Sequence, residues 1–110
     1  MDLKTYQKWT KENSFYPHEG QQDVQEIMYL AMAMNAEAGE LSNHVKKLFR
    51  DGDNTERRDL IKGEIGDVLW YAARLAECLD ANLEDIFAEN HAKIEDRKAR
   101  GVLKGDGDKR

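Results

Sequence analysis

Four carboxylates stand at a spacing that chemistry can use: Glu37 and Glu40, and then Glu64 and Asp67, each pair three residues apart. On a helix, residues three apart are neighbours. Each pair therefore repels itself by roughly a few tenths of a kcal/mol in water, and by far more where partly buried. Two such pairs brought together need compensation from protonation, salt bridges or hard cations. Mg²⁺ suits an all-oxygen cluster and keeps water ligands available for hydrolytic chemistry, so Glu37, Glu40, Glu64 and Asp67 are predicted to hold metal. Acids three apart are by themselves commonly a solvated helix face. Their repetition in register on two helices is what favours a metal site.

Those helices follow from the apolar pattern. Residues 22–49 read as one helix. Ile27, Met34, Leu41 and Leu48 form one row, Ala31, Ala38 and Val45 lie beside it, and Leu30, Glu37 and His44 complete a buried stripe. Residues 55–79 read as the next helix, with Ile61, Val68 and Leu75, then Ile65, Ala72 and Leu79, then Glu64, Tyr71 and Cys78 in the same three rows. Glu37 and Glu64 thus occupy positions where the pattern calls for an apolar side chain, with Glu40 and Asp67 one turn on. Even the local sequences match, Glu37-Ala38-Gly39-Glu40 against Glu64-Ile65-Gly66-Asp67. Glycine inside a helix costs about 1 kcal/mol relative to alanine, so Gly39 and Gly66 imply close helix approach or room for a ligand beside the acids.

The remaining punctuation predicts an all-α bundle of about four helices. Residues 1–100 form a single domain and residues 101–110 a flexible, Gly-rich basic tail. A first helix starts near Asp2 and carries Tyr6 and Trp9, and Pro17 and Gly20 mark a connector behind it. Asp51, Gly52, Asp53 and Asn54 make a turn, with Asn54 or Thr55 capping the third helix. A fourth helix runs from about Asn82 to Arg100, its Asn82 and Asp85 resembling a capping box.

Composition narrows the function. A net charge of −5 over 110 residues argues against a nucleic-acid polymer as partner, because duplex binding rests on clustered Lys and Arg. A multiply charged anion remains possible where metal supplies positive charge. No apolar run approaches the roughly 20 residues that span a membrane. No targeting segment follows Met1, and the single Cys78 permits no internal disulfide, so a cytoplasmic protein is expected. His18 and His44 lack partners at zinc spacing. So short a chain buries a modest core, which predicts a homodimer or homotetramer.

On these residues the chain resembles the MazG-like nucleotide pyrophosphohydrolases, from about Leu30 to the C-terminus. The resemblance rests on the Glu-x-x-Glu of Glu37 and Glu40 and the Glu-x-x-Asp of Glu64 and Asp67. Further matches are the run Gly66-Asp67-Val68-Leu69-Trp70-Tyr71, the Asn-x-x-Lys-x-x-x-Arg of Asn90, Lys93 and Arg97, and a closing Gly-x-Gly-Asp-x-Arg ending in Arg110. It implies an all-α enzyme that cuts a nucleoside triphosphate to monophosphate and pyrophosphate. The four carboxylates would bind magnesium, with Mn²⁺ as a substitute. Lys93, Arg97 and Arg110 would contact phosphates, Asn90 would serve the ligand, and Tyr71, one turn beyond Asp67, would face the nucleotide. Glu37 is the expected base, because its place in the stripe desolvates it most. Two departures stand out. Ala36 replaces an acid that many members carry there, and Asp106 and Lys109 alter the tail. The competing expectation, from another class, is a catalytically silent helical module that binds metal or a partner.

Overall fold

The computed structural model describes residues 1–110 and is all-α: α1 (Leu3–Glu12), α2 (Val24–Asp51), α3 (Thr55–Cys78) and α4 (Leu83–Ala99). Three of these helices begin at a side chain that accepts from a first-turn N–H. Asp2 accepts from Thr5 at 2.8 Å, Asp23 from Glu26 at 3.1 Å and Asn54 from Arg57 at 2.7 Å. Each satisfies a donor that the helix itself leaves unpaired. Asn82 departs from the capping-box expectation. It makes no such bond, and its amide instead donates to Asp85 Oδ2 at 3.3 Å.

The α2–α3 pair is the spine, turned at Gly52–Asn54. Gly52 takes a φ of 103°, in the region that favours glycine. Both α1 and α4 pack on α3 and touch each other, and neither packs on α2. Gln7 ties this side together. Its amide donates to Glu77 Oε2 at 2.8 Å and to the Ala81 carbonyl at 3.0 Å, and it accepts from the Leu83 N–H at 2.7 Å. All three bonds span more than sixty residues of sequence, so they fix where α1 and the start of α4 sit on α3.

The buried seam is narrower than the predicted stripe. Leu30 is fully buried and Ile27, Met34, Leu41 and Leu48 are half-buried, but Ala31, Ala38, Val45, Ile65 and Leu79 lie exposed. With α2 packed on α3 alone, only one edge of each stripe is covered. The chain buries 11 of its 110 residues, and its radius of gyration is 16.6 Å, against about 13 Å for a compact domain of this size. No helix is long and apolar enough to cross a membrane.

Candidate metal centre

The seam between α2 and α3 turns the first acid of each pair inward. Glu37 and Glu64 are half-buried, while Glu40 and Asp67 are exposed. Ligand atoms of Glu37, Glu64 and Asp67 lie within 4.8 Å of one another, and so do those of Glu40, His44 and Glu64. Glu64 belongs to both groups and is the hinge of the site. A neighbouring Lys or Arg is absent from it: none of the four carboxylates is bridged by either, and the nearest nitrogen base is His44, with Nε2 3.5 Å from Glu64 Oε1.

Crowding shows in the electrostatics. The Glu37 carboxyl is pushed above the usual glutamate range, first by the proton it would share with the adjacent Glu64 carboxylate, then by burial and by the charges of Asp67, Glu64 and Glu40. Glu64 Oε2 is buried without a hydrogen-bond partner. An unsatisfied buried acceptor costs about 1–3 kcal/mol, and more when charged. Three carboxylates within reach of one another and an orphaned oxygen among them fit a hard divalent cation. Gly39 and Gly66 leave space rather than letting the helices close, since a Cβ built at either meets no heavy atom within 4 Å.

Beside the acids opens a cleft of about 350 Å³ lined by Glu37, Asp67, Trp70 and Tyr71. The two rings meet edge to face, with centroids 5.1 Å apart. The Tyr71 hydroxyl is held above its ordinary value, chiefly by burial and then by Tyr29, Glu37 and Asp67. A larger cleft of about 650 Å³ involves α1 and the start of α4 and has no hydrophobic lining. It contains none of the four acids, so its size says nothing about this chemistry.

Helix α4 carries a separate cluster. Asn90 is exposed. Lys93 Nζ pairs with Asp108 Oδ1 at 2.7 Å, and Arg97, buried, donates to the Asp108 carbonyl. Lys93, followed by Arg97, keeps the Asp108 carboxyl below its usual range. The Arg110 guanidinium turns into its own tail, donating to the carbonyls of Val102, Leu103 and Gly107. Of the residues singled out from the sequence, Glu37, Glu40, Glu64, Asp67 and Tyr71 converge along the α2–α3 seam. Asn90, Lys93, Arg97 and Arg110 do not line that cleft within one chain.

Residues 25–102, which span nearly all of α2 and the whole of α3 and α4, match the MazG nucleotide pyrophosphohydrolase domain. The chain belongs to the MazG family. It is also similar to the gene 37 protein of Mycobacterium phage L5, with 40% identity over 114 residues that cover 100% of both chains. No solved structure matches. Both carboxylate pairs and the basic residues of α4 fall inside the MazG domain, while α1 and Asp23 precede it.

Two features of this MazG chain escape a reading of spacing alone. Glu26, 2% exposed, accepts from the Tyr16 hydroxyl at 2.6 Å, the Gly20 N–H at 3.0 Å and the Gln22 N–H at 2.8 Å. Its only sequence signal is an acid in the first turn, three residues after Asp23. His44, apparent in the sequence as a stripe residue, receives Arg57 Nη1 at 3.0 Å on its Nδ1. Nothing in the spacing pairs residues from different helices in this way.

Proposed function

We propose that this MazG-family chain is a Mg²⁺-dependent nucleoside triphosphate pyrophosphohydrolase, converting a (d)NTP to the (d)NMP and pyrophosphate for control or cleansing of the cytoplasmic nucleotide pool. The observation that carries the proposal is the orphaned, buried Glu64 Oε2 within a ligand-sized group of carboxylates. Bound there, a divalent cation supplies charge neutralisation on the phosphates and a more acidic water, with Mn²⁺ able to substitute. Glu37, Glu40, Glu64 and Asp67 hold it.

Glu37 then serves as base. Its half-buried carboxyl lies among the acids of the seam and lines the cleft beside them, within reach of a water held there. The water oxygen bonds to the α-phosphorus, the bond to the α–β bridging oxygen breaks, and pyrophosphate departs with its electron pair. Trp70 and Tyr71 wall the cleft that receives the nucleoside. Lys93 and Arg97 already hold an anion, Asp108, and present the charge-assisted donors that a phosphate would use, with Asn90 and Arg110 nearby on α4 and the tail.

A single chain leaves this arrangement open. Met28, Met32, Ile65 and Phe87 are more than half exposed, apolar surface that an assembly would remove from water. A homodimer or homotetramer covers it and supplies a second set of α4 residues. The alternative, a silent helical module, predicts metal binding without turnover.

Incubation with a panel of nucleoside triphosphates and Mg²⁺, with products separated by chromatography, decides between them. Monophosphate plus pyrophosphate is expected. Diphosphate plus phosphate, or no turnover with any nucleotide, would overturn the assignment.

A further inference from the structure

His44 stands four residues after Glu40 on α2 and reaches across to α3. It lies in a ligand-sized group with Glu40 and Glu64, so its imidazole has two readings: a nitrogen ligand of the metal, or a donor that fixes a ligand. The hydrogen-bond inventory of its neighbour separates them. A guanidinium carries only N–H donors and never accepts. Arg57 Nη1, 3.0 Å from His44 Nδ1, therefore needs the lone pair of Nδ1. In the neutral ring that leaves the proton on Nε2, which lies 3.5 Å from Glu64 Oε1, a few tenths of an ångström beyond a hydrogen bond, a gap closed by a small side-chain shift. Coordinating a cation through Nε2 would demand the opposite tautomer, with an Nδ1–H pointed at the Arg57 donors.

We infer that His44 is a positioning residue for Glu64, held by Arg57 in the Nε2–H tautomer, so that it engages Oε1 and leaves the partnerless Oε2 to the metal. This rests on the metal-site reading proposed above. The donor set supports it further. His44 and Glu64 side chains are only 14% and 17% exposed, so water competes weakly for the contact. Arg57 follows closely on the Asn54 cap, whose oxygen accepts the Arg57 backbone N–H at 2.7 Å, anchoring the residue that sets the tautomer. The metal pocket is then the all-oxygen group of Glu37, Glu64 and Asp67 with Glu40 at its edge, which suits Mg²⁺. A group that included the imidazole would favour later transition metals.

The test is a long-range proton–nitrogen NMR spectrum of the full chain, metal-free and with Mg²⁺, combined with calorimetric Mg²⁺ titration of wild type, His44→Ala and His44→Gln. Expected are an imidazole with the proton on Nε2 and a bare Nδ1 in both states, and a loss of about 10-fold in Mg²⁺ affinity for His44→Ala, the scale of an outer-shell partner. His44→Gln, whose amide N–H₂ donates from a similar position, restores most of that loss. A proton on Nδ1, a metal-induced shift at Nε2, or unchanged affinity in His44→Ala would overturn the inference. A wild-type chain that binds no Mg²⁺ at all would instead remove the metal site itself, and the inference with it.

Discussion

Two glutamates of α2 hold opposite positions toward their surroundings. Glu26 is buried at the start of the helix, and the protein meets it with a tyrosine hydroxyl and two backbone N–H groups. Burial alone raises its pKa, yet these donors together bring it below the ordinary glutamate value. Three turns on, Glu37 meets Glu64, another carboxylate, and its pKa is raised. The first site is complete within the chain. The second is left with a buried oxygen that nothing in the chain satisfies. A fold able to supply three donors to Glu26 has supplied none to Glu64 Oε2, and that contrast supports the proposal that the α2–α3 seam takes a cation.

Neutralising one member of each site separates them. Glu64→Gln removes a ligand charge and keeps the shape, so turnover should fall by more than about 100-fold, beyond the loss expected for an outer-shell partner. Its metal-free stability should be unchanged or higher, because like charges are relieved. Steady-state rates and urea denaturation of the same preparation read both effects.

Glu26→Gln should do the reverse. It places an N–H₂ against donors that need an acceptor, at a cost of about 2 kcal/mol in unfolding free energy, while the folded fraction keeps its activity. A stable but inactive Glu26→Gln chain would break the comparison.

A smaller effect concerns pH. Because the folded-state pKa of Glu26 lies below its ordinary value of 4.5, its contribution to stability is present above that value and is lost as pH falls through the folded value. Wild type should lose unfolding free energy on acidification below 4.5 more steeply than Glu26→Gln. Denaturation midpoints followed across that range check the sign.

Much of this was legible in the residues because helical period carries it. The order of four helices, the start of the first near Asp2 and the cap at Asn54 follow from local rules. So does the inward turn of Glu37 and Glu64 relative to Glu40 and Asp67. What depended on long-range contact was not legible. Glu26 acquires its donors only because the loop before α2 takes positive φ at His18, Gly20 and Gln22, aiming the Gly20 and Gln22 N–H groups back at the helix. Lys93 and Arg97 share a face of α4 by spacing, but the partner they meet, Asp108, is set by how residues 101–110 fold back. The predicted breadth of the buried stripe exceeded what one chain covers, since Ile65 and Val45 have no neighbour helix to face. Periodicity reports which side is apolar, and a second surface decides whether it is buried.

Calorimetric titration of Mg²⁺ into the metal-free chain, with wild type and Glu64→Gln side by side, tests the central claim most directly. Saturable binding by wild type that is lost in a Glu64→Gln chain of unchanged helicity is the predicted result. Absence of binding by wild type, or equal binding by both, would contradict the assignment of these carboxylates as a metal centre.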